Sequence, residues 1–440
     1  MRFGLLTDAT ASFTVVRARV IDPSDGTDAV RDVAVVNGRV SAAADPTAER
    51  IDGRGLVLTP GLCDIHAHLR QPGGETAETA VSGARAAARG GFTTICAMPN
   101  TDPPLDSPAS VAGSAADLSC RVRVVGAATV GRAGTKPADL AGMADAGAVA
   151  FSDDGASVAD PAVARDVMAA LAELGLPLME HAEDPDLAGD GVMRAGPVAL
   201  RLGLAGWPTE AEARVVERDI GLAEETGARL HVTHLSTAAA LTAVRAAKAR
   251  GVAVTCDVTP HHISMTDAWV AGARDFAWDD LREASALAYD GSCRVNPPLA
   301  SCEDALELLA GLADGAVDAI ATDHAPHPAE RKLVPFGDAA PGMIGLETAL
   351  SLGLAAVESG RLGLGALVAA LSTRPASIVG ETRSLTVGGP ADLVLFDPDA
   401  WWRVEPAALA SRSSNTPLIG MELPGVVRMT VADGRVTYRS

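Results

Sequence analysis

The chain has 440 residues, is 48% hydrophobic and carries a formal net charge of -20. That charge argues against nucleic acid or an anionic membrane surface as a partner. Length alone allows roughly two to three domains, or fewer if an α/β barrel of about 250 residues is among them. The opening MRFGLLTDATASFTVV lacks the sustained apolar run of a signal peptide, and no window approaches the roughly 20 apolar residues of a membrane span. Six cysteines (Cys63, Cys96, Cys120, Cys256, Cys293 and Cys302) include no Cys-x-x-Cys pair. They read as buried thiols in a reducing compartment, and the expectation is a soluble, cytoplasmic protein.

Taken in chain order, the N-terminal part carries FTVVRARVID and DVAVVNGRVS, β-branched runs with an Asn-Gly turn. The middle then alternates apolar runs with Ala-rich helical stretches. Eight candidate strands follow one another: CDIHAHL, TTICAMP, RVRVVGAA, AVAFS, LPLMEH, RLHVTH, VAVTCDV and DAIAT. Between them lie stretches such as ETAVSGARAAARGG and DPAVARDVMAALAELG, many ending in the glycine that caps helices. Eight strand–helix units in series predict an α/β fold, a (β/α)8 TIM-like barrel. The C-terminal part returns to β pattern with ADLVLFDPDA and VVRMTVADGRVTYRS, the latter turning at Asp-Gly. Each end is too short to stand alone. The expectation is therefore a small composite β-sandwich domain of 1–59 plus 380–440, beside a barrel of 60–379.

Barrel chemistry belongs at the C-terminal ends of strands. The nine histidines and a few singular acids concentrate there. His66, His68 and Arg70 share parity on the first strand, so two histidines can grip one ion. Asp153 and Asp154 end the fourth strand, His181 the fifth, His231 and His234 the sixth, and Asp323, His324 and His327 the eighth. Histidines and carboxylates at separate strand ends suit one or two zinc-like ions, and a pair would need a bridging carboxylate. Parity favours His234 over His231 as a ligand, turns His324 away, and leaves His261 and His262 as minor candidates.

With these motifs in place, the sequence resembles the dihydroorotases of the amidohydrolase superfamily, in their longer bacterial class. The resemblance rests on DIHAHLRQPGGE, ARAAARGGFTTICAMPNTDPP, AFSDDG, HAED, HVTHLST, VTPHH, RVNPPL, ATDHAPH and PGMIGLET, from about Pro60 to about Pro375. It implies one zinc on His66, His68 and Asp323, and a second on His181 and His234. The bridge is Asp153 or Asp154, with Asp154 favoured by its spacing to His181. It implies that His68, Arg70, Asn100, Asn296 and His327 bind substrate, and that the backbone at Pro341 and Gly342 touches a pyrimidine ring. The implied reaction is reversible closure of N-carbamoyl-L-aspartate to L-dihydroorotate and water in pyrimidine (UMP) synthesis. Hydroxide on the metal attacks in the reverse direction, with Asp323 as general acid and base. Gln71 stands where the family commonly has Glu. PAERKLVPFGDAAPGM is longer than usual and reads as a tolerated insertion rather than a mobile lid. Rival readings are a hydantoinase or allantoinase, whose bridging group is a lysine absent from AFSDDG, and a non-catalytic relative supporting aspartate carbamoyltransferase. Association with that transferase and a homodimer, common among relatives, stay open.

Overall fold

The computed structural model describes residues 10–114, 116–280 and 284–440. Eight parallel strands form in the expected order: Leu62–Ala67, Phe92–Ala97, Arg121–Ala127, Ala148–Ser152, Pro177–Glu180, Arg229–Val232, Val254–Val258 and Ala319–Ile320. Each hydrogen-bonds to the next in sequence. The last returns to the first through a parallel bridge between Ala67 and His324, where His68 N donates to His324 O at 2.9 Å. The result is a (β/α)8 barrel. Cys63, Ile65, Cys96, Met98, Val125, Ala150, Met179, Ala319 and Ala321 meet in one buried cluster. They come from six different strands, or in the case of Met98 and Ala321 from the residue just past one, which places the cluster inside the barrel. Helix Thr373–Ile378 adds Ala376 and Ile378 to it.

The connecting helices start and stop where local chemistry dictates. Ala80–Arg89 begins with a capping box, in which Thr79 accepts from Ser82 N and Ser82 reaches back. Pro161–Leu174 starts with Asp160 as cap and proline in its first turn, and ends at Gly175 with φ of 69°. Ala238–Ala249 is capped by Thr237. The apolar faces of these helices join strand residues such as Phe92, Ile95, Val124 and Phe151 in the largest core cluster.

A second, mostly antiparallel sheet draws on both ends of the chain. Its order is Arg435–Arg439, Glu422–Ala432, Leu393–Arg403, Val57–Pro60, Phe13–Asp22, Thr27–Val36 and Arg39–Ser41, with Glu49–Asp52 paired to Phe13–Asp22. The seam lies between Leu393↔Pro60 and Phe396↔Val57. Both hairpin turns read from sequence are present. Asn37–Gly38 (φ 49° and 76°) and Asp433–Gly434 (φ 48° and 73°) hold two successive residues at positive φ, as a type I′ turn requires. The six cysteines form no disulfide. Among the described residues, no helix is long and apolar enough to cross a membrane.

Candidate active site

The strand ends deliver their polar side chains to one place. Strand Leu62–Ala67 carries His66, and the chain just beyond it carries His68. His66 Nε2 lies 3.3 Å from Asp154 Oδ1 and 3.6 Å from Asp323 Oδ1. His68 Nε2 lies 3.0 Å from Asp323 Oδ1 and 3.5 Å from Asp154 Oδ2. His181 Nδ1 and His234 Nε2 are 3.0 Å apart, and each approaches Asp154 Oδ1, at 3.5 and 3.3 Å. Two groups of potential ligands emerge, His66–His68–Asp154 and Asp154–His181–His234, and in each the ligand atoms lie within 4.8 Å of one another. Asp154 belongs to both, which is the position a bridge must take. Asp153 turns the other way: its carboxylate accepts from Thr129 N at 3.0 Å and from the Thr129 hydroxyl.

The site's own hydrogen bonding fits a cation. Both ring nitrogens of His66 and Nδ1 of His234 are buried without a hydrogen-bond partner. Such orphans are rare in native interiors and call for an explanation. Two other rings have their outer nitrogens occupied. His68 Nδ1 lies 2.7 Å from Asn100 Oδ1, so it donates there and leaves the Nε2 lone pair facing the cluster. His181 Nε2 lies 3.1 Å from Glu183 Oε2, which leaves Nδ1 inward. A histidine oriented by a carboxylate or amide on its outer nitrogen is the usual support of a metal ligand. Burial opposes the charged form of Asp154, but His66, His181 and His234 prevail and hold its carboxyl well below the usual range. Asp323 is lowered against the same penalty by His68 and His66.

Three residues of the site sit in backbone conformations that L-residues seldom adopt: Arg70 (φ 56°), His234 (φ 36°) and Asp323 (φ 44°). Such strain, of order 1–3 kcal/mol each, concentrates at functional sites. It also modifies the parity argument. The first strand ends at Ala67, so Arg70 reaches the cleft through a left-handed turn, not by strand alternation. Its Nε donates to Pro326 O at 3.2 Å, and its Nη2 stands 3.3 Å from His327 Nε2. His327 Nε2 also lies 2.8 Å from Pro341 O, which can only accept, so that nitrogen carries a proton. Burial and the Arg70 charge keep the ring neutral, pulling its pKa down to about 3. The Nε2 proton is committed to Pro341 O, so Arg70 Nη2 is the group left to offer its protons to an anion in the cleft.

These groups line a cleft of about 250 Å³ that includes every site residue expected from sequence except His66, which lies beneath it. Asn296 Nδ2 donates to Glu183 Oε2 at 2.7 Å, so Glu183 orients both His181 and Asn296. The minor candidates stand apart. His231 is fully buried between Thr255 and Asp257, each at 2.8 Å. His324 faces Glu78 at 3.3 Å. His262 donates to Pro297 O at 3.0 Å. His261 is buried with Nε2 unpartnered and belongs to neither ligand group. Sequence reasoning missed Glu183, although HAED places it two residues after His181. It also missed Asp257, which accepts from His234 N at 2.8 Å. A further omission is Asp64, which accepts from Thr322 N at 2.9 Å and ties the first strand to the eighth.

A family model described as dihydro-orotase-like matches residues 55–240. The chain is 45% identical to a dihydroorotase of Anaeromyxobacter sp. (strain K), over 96% of each chain. It is 42% identical to a dihydroorotase of Citrifermentans bemidjiense, covering 96% of this chain and 98% of the relative. Among solved structures it is similar to L-hydantoinase (dihydropyrimidinase) from Arthrobacter aurescens, with a TM-score of 0.83, 25% identity, and 98% and 96% of the two chains covered. A dihydropyrimidinase from Brevibacillus agri shares the fold, with a TM-score of 0.80 at 22% identity over 97% and 95% of the two chains. On identity sustained across nearly its whole length, the chain belongs to the dihydroorotase family.

Proposed function

We propose that the chain catalyses the reversible interconversion of N-carbamoyl-L-aspartate and L-dihydroorotate, the ring-closing step of pyrimidine (UMP) synthesis. One observation carries the reading: two ligand groups sharing Asp154 open onto the same cleft as the Arg70 guanidinium, with His327 beside it. A metal supplies the electrophile, and an anion clamp supplies selection for a cyclic amide that bears a carboxylate.

The proposed metal is zinc, one or two ions per chain, held by His66, His68 and Asp323 and by His181 and His234, with Asp154 between them. Zinc in such a site lowers the pKa of water to about 7 and polarises a carbonyl. Asp323 is placed to move the proton. In the hydrolytic direction it takes a proton from the attacking water and passes it to the ring nitrogen as the C–N bond breaks. In ring closure it works in reverse. Arg70 offers a planar fork to the substrate carboxylate, with the Asn100 amide as a further donor and His327 lining the same end of the cleft. That local positive charge offsets the repulsion of a protein with a net charge of -20. Asn296 and the backbone at Pro341 and Gly342 complete the ring pocket. The proposed setting is the cytoplasm, with a barrel of 60–379, a composite domain of 1–59 plus 380–440, and a homodimer as the working assembly. Aspartate carbamoyltransferase is the proposed protein partner.

The hydantoinase reading draws on the similarity to the Arthrobacter aurescens structure. Turnover of L-dihydroorotate and of hydantoin by the same purified, zinc-loaded protein separates the two. Efficient opening of dihydroorotate with negligible hydantoin turnover supports the proposal; the opposite preference overturns it.

A further inference from the structure

The stretch between His327 and Met343 is stitched down rather than spare. Phe336 and Lys332 are each 4% exposed. Four consecutive carbonyls each accept from a side chain. Ala339 O accepts from Arg294 Nε at 2.8 Å, Ala340 O from Lys332 Nζ at 2.7 Å, and Pro341 O from His327 Nε2 at 2.8 Å. Gly342 O accepts from both Lys332 Nζ, at 2.9 Å, and Asn415 Nδ2, at 3.1 Å. Lys332 Nζ also donates to Arg294 O at 3.1 Å, and Gly342 N donates to that same oxygen at 2.8 Å.

Lysine is almost never fully buried unless it is paired. Here the three protons of the ammonium match three backbone carbonyls. A neutral group would bring fewer donors, and bonds from a charged donor are roughly twice as strong. The three carbonyls belong to two segments that meet beside the cleft: one leads two residues on to Asn296, and the other holds Pro341 and Gly342. We propose that Lys332 is a positioning residue that locks the Arg294–Asn296 segment to the Ala339–Gly342 turn and thereby sets the ring-binding wall of the cleft. The inference rests on the function proposed above. The burial that this arrangement imposes lowers the ammonium's pKa to about 7, against the pull of Cys293 and Asp290.

The test is Lys332→Met in the full-length, zinc-loaded protein, which keeps the stem and removes the charge. KM for dihydroorotate should rise about 10- to 100-fold with kcat within about threefold, as the loss of ground-state and transition-state binding alike requires. Zinc content should stay unchanged, and hydrogen exchange at the Ala340 and Gly342 amides should accelerate. A folded, zinc-loaded variant with the wild-type KM and unchanged exchange overturns the inference. If Lys332→Met does not fold, Lys332→Ala with added methylammonium takes its place. A cavity of about 450 Å³, lined by Ser292, Lys332 and Asn415 among others, gives the amine a route to the vacated position. The amine should lower KM towards wild type, and failure to do so overturns the proposal. If the wild type does not open dihydroorotate, the functional reading falls, and the exchange measurement alone decides the role of Lys332.

Discussion

Replacing Arg70 by lysine keeps the charge and removes the fork. In the structure Pro326 O anchors the guanidinium through Nε, and Nη2 stands beside His327 Nε2 with its protons available to the cleft. A lysine ammonium cannot keep the Pro326 anchor and still present two parallel donors to a carboxylate. The substrate carboxylate would keep one charge-assisted bond of two. Such a bond contributes roughly 1.5–3 kcal/mol when the partner is charged, and 1.4 kcal/mol is tenfold in affinity. Arg70→Lys should therefore raise KM for dihydroorotate by about 10- to 100-fold, with kcat within about threefold, because the clamp holds substrate and transition state alike. The assay is the initial rate of dihydroorotate hydrolysis against substrate concentration, followed by loss of ultraviolet absorbance. A variant with the wild-type KM would refute the clamp, and one with a depressed kcat and unchanged KM would place Arg70 in the chemistry instead.

Two further substitutions probe the layer behind the cleft. Glu183→Ala removes the acceptor from His181 Nε2 and from Asn296 Nδ2; it should weaken zinc binding by about 10- to 100-fold in chelator competition. Unchanged zinc retention would show that His181 needs no such support. Glu180 sits beneath the same strand end, accepting from Ser157 Oγ and Val158 N, and burial with nearby Asp219 raises its pKa to about 8. The folded chain keeps this proton above the ordinary carboxyl pKa while the unfolded chain loses it, so stability falls as pH rises from about 4.5 to about 8. Glu180→Gln should remove that slope, so the difference in Tm (variant minus wild type) should grow from pH 5 to pH 8. Parallel Tm curves would contradict the assignment.

The barrel was legible because its signals are local and repeated: eight apolar runs, Ala-rich helices with polar caps, and Asn-Gly and Asp-Gly turns at the two ends. The cluster was legible because histidines are scarce in this chain and fall at strand ends. Parity set His234 apart from His231, and in the structure the latter pairs with Asp257 in the core. It could not choose between Asp153 and Asp154, because that choice depends on Thr129, 24 residues upstream of Asp153. Nor could it place Arg70, whose approach depends on a left-handed turn after the strand has ended. The supporting residues were hidden for the same reason. Asn415 holds His327 N, Ala325 O and Gly342 O from 73 to 90 residues away, a relation that no local pattern encodes. The segment read as an insertion carries Lys332 and Phe336 into the interior, so its length serves packing against the cleft.

The most direct test of the central claim is dihydroorotate hydrolysis by the purified chain, with zinc counted per chain, measured beside Asp323→Asn. Asparagine keeps the shape and cannot carry the proton. The expected result is turnover by a zinc-bearing wild type and a loss of at least about 100-fold in kcat for the variant, the usual scale of a general acid–base contribution. A zinc-loaded wild type that leaves dihydroorotate intact would contradict it, as would a variant that retains wild-type kcat.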